Sequence, residues 1–376
     1  MLDLGKIRNE IDQTDEEILR LFERRMELTG EVASYKIQTG KPVFDPEREI
    51  SKLQKLGNAA HSEFNSRGIQ EIFRQVMSIS RKRQYQLLTE QGAEMPTDYQ
   101  QVEKLPTSGA KVIFQGVEGA YSFEAMKTFF GPDIISDHVE TFKEAVKLIA
   151  DRKADYAVLP IENSTAGIVQ DIYDLMAEYP VYIVGEQVIR IDHKLMGLPG
   201  TKLSDVHKVY SHPQGLAQCR QYLEQYPSWE QEAVLNTAIA AQKVAREKDK
   251  GQAAIASRFA AEHFQLQILE EKPLTGETNA TRFIVISNQK RFVKSAKKIS
   301  ISFEIPHESG SLYNTLSHFI YNDLNMTKIE SRPIPGRNWE YRFFLDFEGN
   351  LSAAAVKNAM LGLDAETSYL RILGNY

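Results

Sequence analysis

Two interleaved heptad series open this chain. Leu4, Ile11, Ile18, Arg25 and Val32 recur every seven residues, and Ile7, Thr14, Leu21, Leu28 and Tyr35 repeat with the same period, the pattern of a helix that buries a seam against another helix. A helix from about Asp3 to Gln38 runs about 50 Å at roughly 1.5 Å per residue, whereas a compact domain of about 90 residues is only about 30 Å across. The seam therefore needs a partner chain, so residues 1–90 are expected to form an all-helical domain of a homodimer or higher homo-oligomer. Asp45-Pro46-Glu47 starts a second helix, with Asp45 as N-cap and proline in the first turn, where its missing N–H does no harm. A third helix, roughly Arg67 to Leu88, sets Ile69, Ile72, Phe73, Val76 and Leu87 on one face, with Ser80 and Gln84 beside them.

A chain of 376 residues exceeds one comfortable core, and two polar stretches divide it. Thr89 to Ala110 is rich in Gln, Pro, Gly and Ser, and Asn288 to Lys298 is shorter and basic. Linkers are accordingly expected over 91–110 and 288–298. Between them, over 111–287, short β-rich runs (Val112 to Gln115, Ala157 to Ile161, His207 to Tyr210, Phe283 to Ser287) alternate with helical patterns, which predicts α/β layers around a mainly parallel sheet. Residues 299–376 read strand, helix, strand, strand, helix, strand, an α+β ferredoxin-like sandwich.

Composition excludes several roles. No apolar run approaches the roughly 18 residues of a membrane span, the N-terminus lacks a secretory core, and a single cysteine, Cys219, fits a reducing compartment as a small buried hydrophobe; a cytoplasmic protein is expected. A net charge of −6 argues against nucleic acid as a partner. The local run Arg81-Lys82-Arg83 reads as a solvated helix face, and the eight histidines lack metal-ligand spacing.

Arg25 occupies a heptad core position, where a guanidinium requires a counter-charge. Lys36, eleven residues on, lies about 20° around the helix and about 16 Å along it, so the two cations converge on one anion. Arg8 lies about 26 Å from Arg25 along the axis and cannot reach the same small molecule from the same copy. Spacing leaves open an alternative in which Arg25 pairs with a helix carboxylate while Arg8 and Lys36 are flanking charges.

The ordered set Arg8, Arg25, Lys36, Pro42-Val43-Phe44-Asp45-Pro46-Glu47-Arg48-Glu49 and Ser80 with Gln84 resembles the active site of the all-helical chorismate mutases. The resemblance implies that Arg25 and a partner copy's Arg8 bind the two substrate carboxylates. It also implies that Lys36 and Gln84 hydrogen-bond the ether oxygen, that Glu49 holds the ring hydroxyl, and that Asp45, Arg48 and Ser80 complete the pocket. Such a set suits the chemistry. A Claisen-type rearrangement is unimolecular and transfers no proton, so it needs a clamp for the compact conformer and donors at the oxygen that gains charge.

Further on, Gly116-Val117-Glu118-Gly119-Ala120-Tyr121-Ser122 follows the first strand of the middle segment without the GxGxxG spacing of a dinucleotide fold, which counts against a fused dehydrogenase. Pro160-Ile161-Glu162-Asn163-Ser164-Thr165-Ala166-Gly167, Ser211-His212-Pro213-Gln214 and Asn279-Ala280-Thr281-Arg282-Phe283 all adjoin predicted strands. Each alone reads as a cap or turn. As an ordered trio they resemble the prephenate dehydratases, which implies two α/β lobes of the periplasmic-binding-protein type with the site in the cleft. By resemblance Thr281 is central, aided by Glu162, Asn163, Ser164, Ser211, His212 and Gln214. A threonine hydroxyl is too weak an acid to ionise near neutrality, so Thr281 reads as a hydrogen-bond donor to the leaving hydroxyl, with Glu162 and His212 as rival proton sources.

The last segment resembles the ACT regulatory domain of the same bifunctional enzymes. Glu330-Ser331-Arg332-Pro333 matches one phenylalanine-binding motif, while Gly310-Ser311-Leu312-Tyr313 keeps only the glycine and leucine of the other. The resemblances together imply an enzyme that makes phenylpyruvate from chorismate through prephenate, with no metal or organic cofactor and with L-phenylalanine as inhibitor. An amino-acid-binding regulator that keeps these folds without their chemistry is the non-enzymatic alternative.

Overall fold

The computed structural model describes residues 3–272, 274 and 279–376. The chain divides into two compact units, Met1–Thr97 with Ile301–Ile372, and Asp98–Ser300 with Leu373–Tyr376. Three helices open the first. Helix α1 (Leu4–Thr39) is capped by Asp3, whose carboxylate accepts the N–H groups of Gly5 and Lys6 at 2.9 and 3.2 Å, and is ended by Gly40 at φ +68°, a left-handed cap that glycine adopts without steric cost. Helix α2 (Pro46–Ala59) starts at Asp45, which accepts Arg48 N–H at 3.1 Å. Helix α3 (Glu63–Glu90) begins four residues earlier than the apolar pattern suggests because Ser62 caps it through Asn65 N–H. Within one chain the heptad seam stays largely uncovered: Ile11, Ile18 and Leu21 are 52%, 59% and 61% exposed.

The second unit holds ten main strands: β1 (Lys111–Gln115), β2 (Ile135–Val139), β3 (Tyr156–Asn163), β4 (Tyr182–Arg190), β5 (His193–Gly197), β6 (Lys208–Ser211), β7 (Glu230–Ala233), β8 (Gln252–Ser257), β9 (Gln267–Glu270) and β10 (Ala280–Ser287). They form two sheets. One runs β4-β10-β3-β1-β2, around a core that includes Val112, Phe114, Met126 and Val285. The other runs β9-β5-β8-β6-β7, with its own cores on either face. The chain crosses from the first sheet to the second after β4 and returns to β10, so two separate cores make two lobes. Strands β1, β2 and β3 are parallel, as are β6, β7 and β8. The expectation of a mainly parallel sheet needs correction, since β10 is antiparallel to both β3 and β4, and β5 to both β8 and β9. Each strand that follows or completes a crossing between lobes enters its sheet against the local direction. Helices α4 (Tyr121–Phe130) and α5 (Pro213–Gln218) begin in the loops after β1 and β6.

The two stretches read as linkers are not free chain throughout. Gln100–Val102 pairs in parallel with Arg291–Val293, where Phe292 is buried, and Leu105 and Ala110 pack into the core of the first sheet. Beyond them come β11 (Lys298–Glu304), α6 (Ser311–Tyr321), β12 (Met326–Pro333), β13 (Tyr341–Glu348), α7 (Ala354–Glu366) and β14 (Tyr369–Asn375) in the expected βαββαβ order, with sheet order β12-β13-β11-β14.

Within the first unit, α3 packs against α7 and α6 as well as α1 and α2. Gly362 of α7 makes the close approach possible: a Cβ there would lie 2.5 Å from the His318 ring and 3.2 Å from Tyr85. This contact overturns the solvated-face reading of Arg81 and Lys82, which are only 6% and 4% exposed, although Arg83 remains half-buried. A second covered side of α3 was invisible to a periodicity that marks only apolar residues. Burial lowers the Lys82 ammonium to about 8, and its Nζ donates to Ser78 Oγ at 2.7 Å. Among the described residues no helix is long and apolar enough to cross a membrane.

Candidate active sites

A cavity of about 690 Å³ opens between α1, α2 and α3, and the structure brings Arg25, Lys36, Asp45, Arg48, Glu49, Ser80 and Gln84 to its wall. Three helices contribute because heptad spacing turns Arg25 and Lys36 inward, the Asp45 cap starts α2 at the rim, and Ser80 and Gln84 sit one turn apart on α3. Arg8 does not line this cavity. Arg25 donates through Nη1 to Val76 O at 3.2 Å and makes a short hydrogen bond to Ser80 Oγ. Its hydrogen-bond partners are thus neutral, which disfavours the alternative of a helix-carboxylate pair. Burial pulls its pKa down, with Glu49 acting the other way. Lys36 donates to Val43 O at 2.7 Å and is likewise lowered, chiefly by burial. Gln84 Nε2 donates to Ser80 O at 3.2 Å, and among the described residues its buried Oε1 has no hydrogen-bond partner. Arg25, Lys36, Lys41, Arg48, Lys52 and Arg81 face Glu31, Asp45 and Glu49, so the wall favours an anion.

In the second unit, Thr281 of β10 is paired in register with Asn163 of β3, and Arg282 with Glu162. Successive strand residues face opposite sides, so this register makes two separate contacts. On one side Asn163 Nδ2 donates to Thr281 Oγ1 and Asn279 Oδ1, each at 2.9 Å, and to Ala280 O at 3.2 Å. Because Thr281 Oγ1 accepts this bond, its own proton remains available to a ligand. On the other side Glu162 lies 3.5 Å from Arg282 Nη2. The register thus sets the Glu162–Arg282 pair and the Asn163–Thr281 pair on opposite sides of the sheet. Ser164 ties the loop down, its Oγ accepting Ala280 N–H at 3.0 Å.

Of the remaining predicted residues, Ser211 is fully buried and donates to Ile255 O at 2.8 Å. His212 caps α5, its Nδ1 accepting Gln214 N–H at 3.2 Å, and burial lowers its pKa; the Gln214 side chain is exposed. His212 thus has the bonding of a neutral turn residue.

Four residues to which the sequence assigned no role, Thr165 and Tyr121 from the quoted motifs and Gln218 and His193 from outside them, extend the Asn163 network between the lobes. Thr165 Oγ1 donates to Asn163 Oδ1 at 2.8 Å, Gln218 Nε2 donates to Thr165 Oγ1 at 3.2 Å, and Gln218 Oε1 lies 3.2 Å from His193 Nε2, whose Nδ1 lies 3.0 Å from Tyr121 OH. Burial pushes His193 down to about 4 and Tyr121 well up, so both are neutral near pH 7. Tyr121 then donates to Nδ1 while Nε2–H donates to Gln218. No sequence signal marks His193, since its partners come from both lobes. Its protonation affects stability with a defined sign. Between about pH 6.5 and 4 the unfolded chain binds this proton and the folded chain does not, so stability falls as pH falls through that window. Between pH 7 and 5 the loss is expected to be about 2 kcal/mol, measurable as the difference in pH dependence of unfolding between the wild type and His193→Gln. Parallel curves would show that His193 is not the group responsible.

In the C-terminal segment, Gly310 (φ +84°) precedes α6, and Gly310, Ser311, Leu312 and Tyr313 line a cavity of about 400 Å³ with Tyr341 and Phe343. Glu330, Ser331, Arg332 and Pro333 do not line it. They lie on the outer strand β12, where Ser331 and Pro333 pair with Phe343 and Tyr341.

Residues 7–85 match the family model of chorismate mutase type II, and residues 112–291 that of prephenate dehydratase. The bifunctional chorismate mutase/prephenate dehydratase of Escherichia coli (strain K12) is 32% identical over 386 residues, spanning 98% of this chain and 95% of that protein. Among solved structures, prephenate dehydratase from Arthrobacter aurescens in complex with L-Phe matches with a TM-score of 0.65 at 27% identity, over 71% of this chain and 89% of that one. GqqA, described as a novel type of quorum quenching acylase, matches with a TM-score of 0.64 at 31% identity, over 71% and 97%. Helices around a cation-lined cavity, joined to two α/β lobes, thus define a fused mutase and dehydratase. The chain belongs to the bifunctional chorismate mutase/prephenate dehydratase family. It rearranges chorismate to prephenate and converts prephenate to phenylpyruvate, in phenylalanine biosynthesis.

Proposed function

We propose that the helical cavity is the mutase site and that the Asn163–Thr281 pair marks the dehydratase site. The observation that carries the first assignment is the convergence of Arg25, Lys36, Arg48, Glu49, Ser80 and Gln84 on one wall from three helices. Arg25 holds a substrate carboxylate, Lys36 and Gln84 face the ether oxygen as charge develops there, and Glu49 takes the ring hydroxyl; Asp45, Arg48 and Ser80 shape the pocket. Arg8 of a second copy completes it, an arrangement supported by the uncovered seam of α1. In the second site Thr281, oriented by Asn163, donates to the leaving hydroxyl as decarboxylation proceeds and aromaticity is gained. Ser164 holds the loop, and Ser211, His212 and Gln214 form the facing turn. Glu162, paired with Arg282, acts as a structural charge.

The same reading makes the enzyme a cytoplasmic homodimer or higher homo-oligomer that uses no metal or organic cofactor. Its C-terminal βαββαβ segment is an ACT domain that binds L-phenylalanine between Gly310–Tyr313 of one copy and Glu330–Pro333 of another. The Arthrobacter aurescens relative solved with L-Phe supports the effector. Glycine at φ +84° permits the turn into α6, and uncapped N–H groups of its first turn suit a ligand carboxylate. Chorismate alone should yield phenylpyruvate, phenylalanine should suppress the second step at least tenfold, and Gly310→Val should lose this sensitivity while keeping measurable turnover. A product trace that stops at prephenate, or unaltered inhibition in the variant, would refute the respective assignment.

A further inference from the structure

The mutase cavity contains one charged side chain that the sequence reading set aside. Arg81 lines the wall with a side chain only 7% exposed, yet all three of its guanidinium nitrogens are engaged. Nη1 donates to both carboxylate oxygens of Glu49 at 2.6 Å, while Nε and Nη2 make a two-point contact with Glu366 at 2.8 and 3.1 Å. The guanidinium carbon lies over the Phe44 ring, 4.9 Å from its centroid. Glu366 closes helix α7, is 8% exposed and does not line the cavity. His318 Nε2 lies 3.3 Å from its Oε2, off the line of a good hydrogen bond. Burial alone would raise the Glu366 carboxyl, but His318 and Arg81 outweigh it and hold the group at about 2, so it is charged at any working pH.

We infer that Arg81 and Glu366 are positioning residues for the mutase reaction, and that the C-terminal segment thereby supplies part of the mutase site. This inference rests on the assignment of Glu49 to that site. The physical reason is the geometry of the fork. A guanidinium held at two points by one carboxylate has its plane fixed, so Nη1 can present its N–H groups in only one direction, into the cavity toward Glu49. Glu49 is the more exposed end of the chain of charges, with 23% of its side chain accessible, and it alone of the two carboxylates reaches the cavity. Without the Glu366 anchor, Arg81 would have one counter-ion where it now has two. It could follow Glu49 or draw it toward the wall, and the carboxylate would lose the single orientation that a ring hydroxyl needs. The partners lie 285 residues apart in sequence, and the Gly362 contact brings their helices close enough for the pair to form.

The test is a double-mutant cycle on the full-length enzyme, reading mutase kcat and KM with chorismate, dehydratase turnover with supplied prephenate, and thermal unfolding. Glu366→Gln keeps the side-chain shape but removes its charge; Arg81→Lys keeps the charge but loses the fork and serves as a second, independent variant. Each is expected to lower mutase kcat/KM about tenfold with dehydratase turnover unchanged. Added to Glu49→Gln, each is expected to cost less than twofold further, because the residue they orient is already altered. A merely structural pair would shift the unfolding temperature without this coupling to Glu49. Full mutase activity in both variants, an undiminished tenfold loss in the Glu49→Gln background, or equal loss of both activities would overturn the inference. Full activity of Glu49→Gln itself would instead overturn the assignment of the site, and the inference with it.

Discussion

Replacing Arg25 by alanine should abolish the mutase reaction and leave the dehydratase reaction intact. The guanidinium lies in a partly buried wall, and a substrate carboxylate deprived of it would remain desolvated without its counter-charge, which costs roughly 3–5 kcal/mol. At about 1.4 kcal/mol per tenfold, mutase kcat/KM should fall by a few hundredfold to a few thousandfold. Protein stability should suffer far less. Arg25 binds Val76 O and Ser80 Oγ, and Ser80 Oγ already donates back to Val76 O at 2.7 Å, so truncation strands no protein carboxylate and is expected to cost about 1–2 kcal/mol. Steady-state rates with chorismate and, separately, with supplied prephenate distinguish the cases. If both activities fall together, Arg25 holds the fold and not the substrate.

The complementary loss is expected for Thr281→Val, which removes one hydroxyl and preserves the β-branched shape. Asn163 Nδ2 keeps its bonds to Asn279 Oδ1 and Ala280 O, so the substitution leaves the amide partnered and strand β10 in place. On the proposed assignment, what disappears is the donor to the departing hydroxyl, a type of contact worth roughly 3–4 kcal/mol in the transition state. Dehydratase kcat should therefore fall about a hundredfold to a thousandfold, with mutase turnover unchanged. Retention of more than about a tenth of the rate, a barrier change below roughly 1.4 kcal/mol, would exclude Thr281 as the principal donor. Glu162→Gln sharpens the comparison, because Glu162 sits with Arg282 across the sheet from the hydroxyl. A larger loss in that variant than in Thr281→Val would reverse the assignment of the proton source.

Several elements were legible in the residues themselves because their causes are local. Asp45 followed by proline starts a helix in any context that leaves the chain free to do so, and the structure caps α2 there. The change of hydrophobic period separates helices from strands, and the C-terminal βαββαβ order follows from it. The inward turn of Arg25, Lys36, Ser80 and Gln84 is also local, since each is placed by the pitch of its own helix. The same argument explains why Arg8 lies away from the cavity, as the length of α1 demands.

Sequence by itself thus determined the elements, the face that each helix offers and the residue types able to bind an anion or polarise a hydroxyl. Tertiary structure alone decided which of these residues meet. Register put Thr281 beside Asn163 and Glu162 beside Arg282, a distinction that one slip of a strand would reverse. The meeting of two lobes made His193, Gln218 and Asn163 one network. Most plainly, Arg81-Lys82-Arg83 has the look of a solvated face, and Arg81 is nevertheless buried between Glu49 and Glu366. A charge run carries no periodic signal of burial. Whether a cation is solvated or enclosed depends on a counter-charge brought from another part of the chain, and only the packing of α7 on α3 places it there.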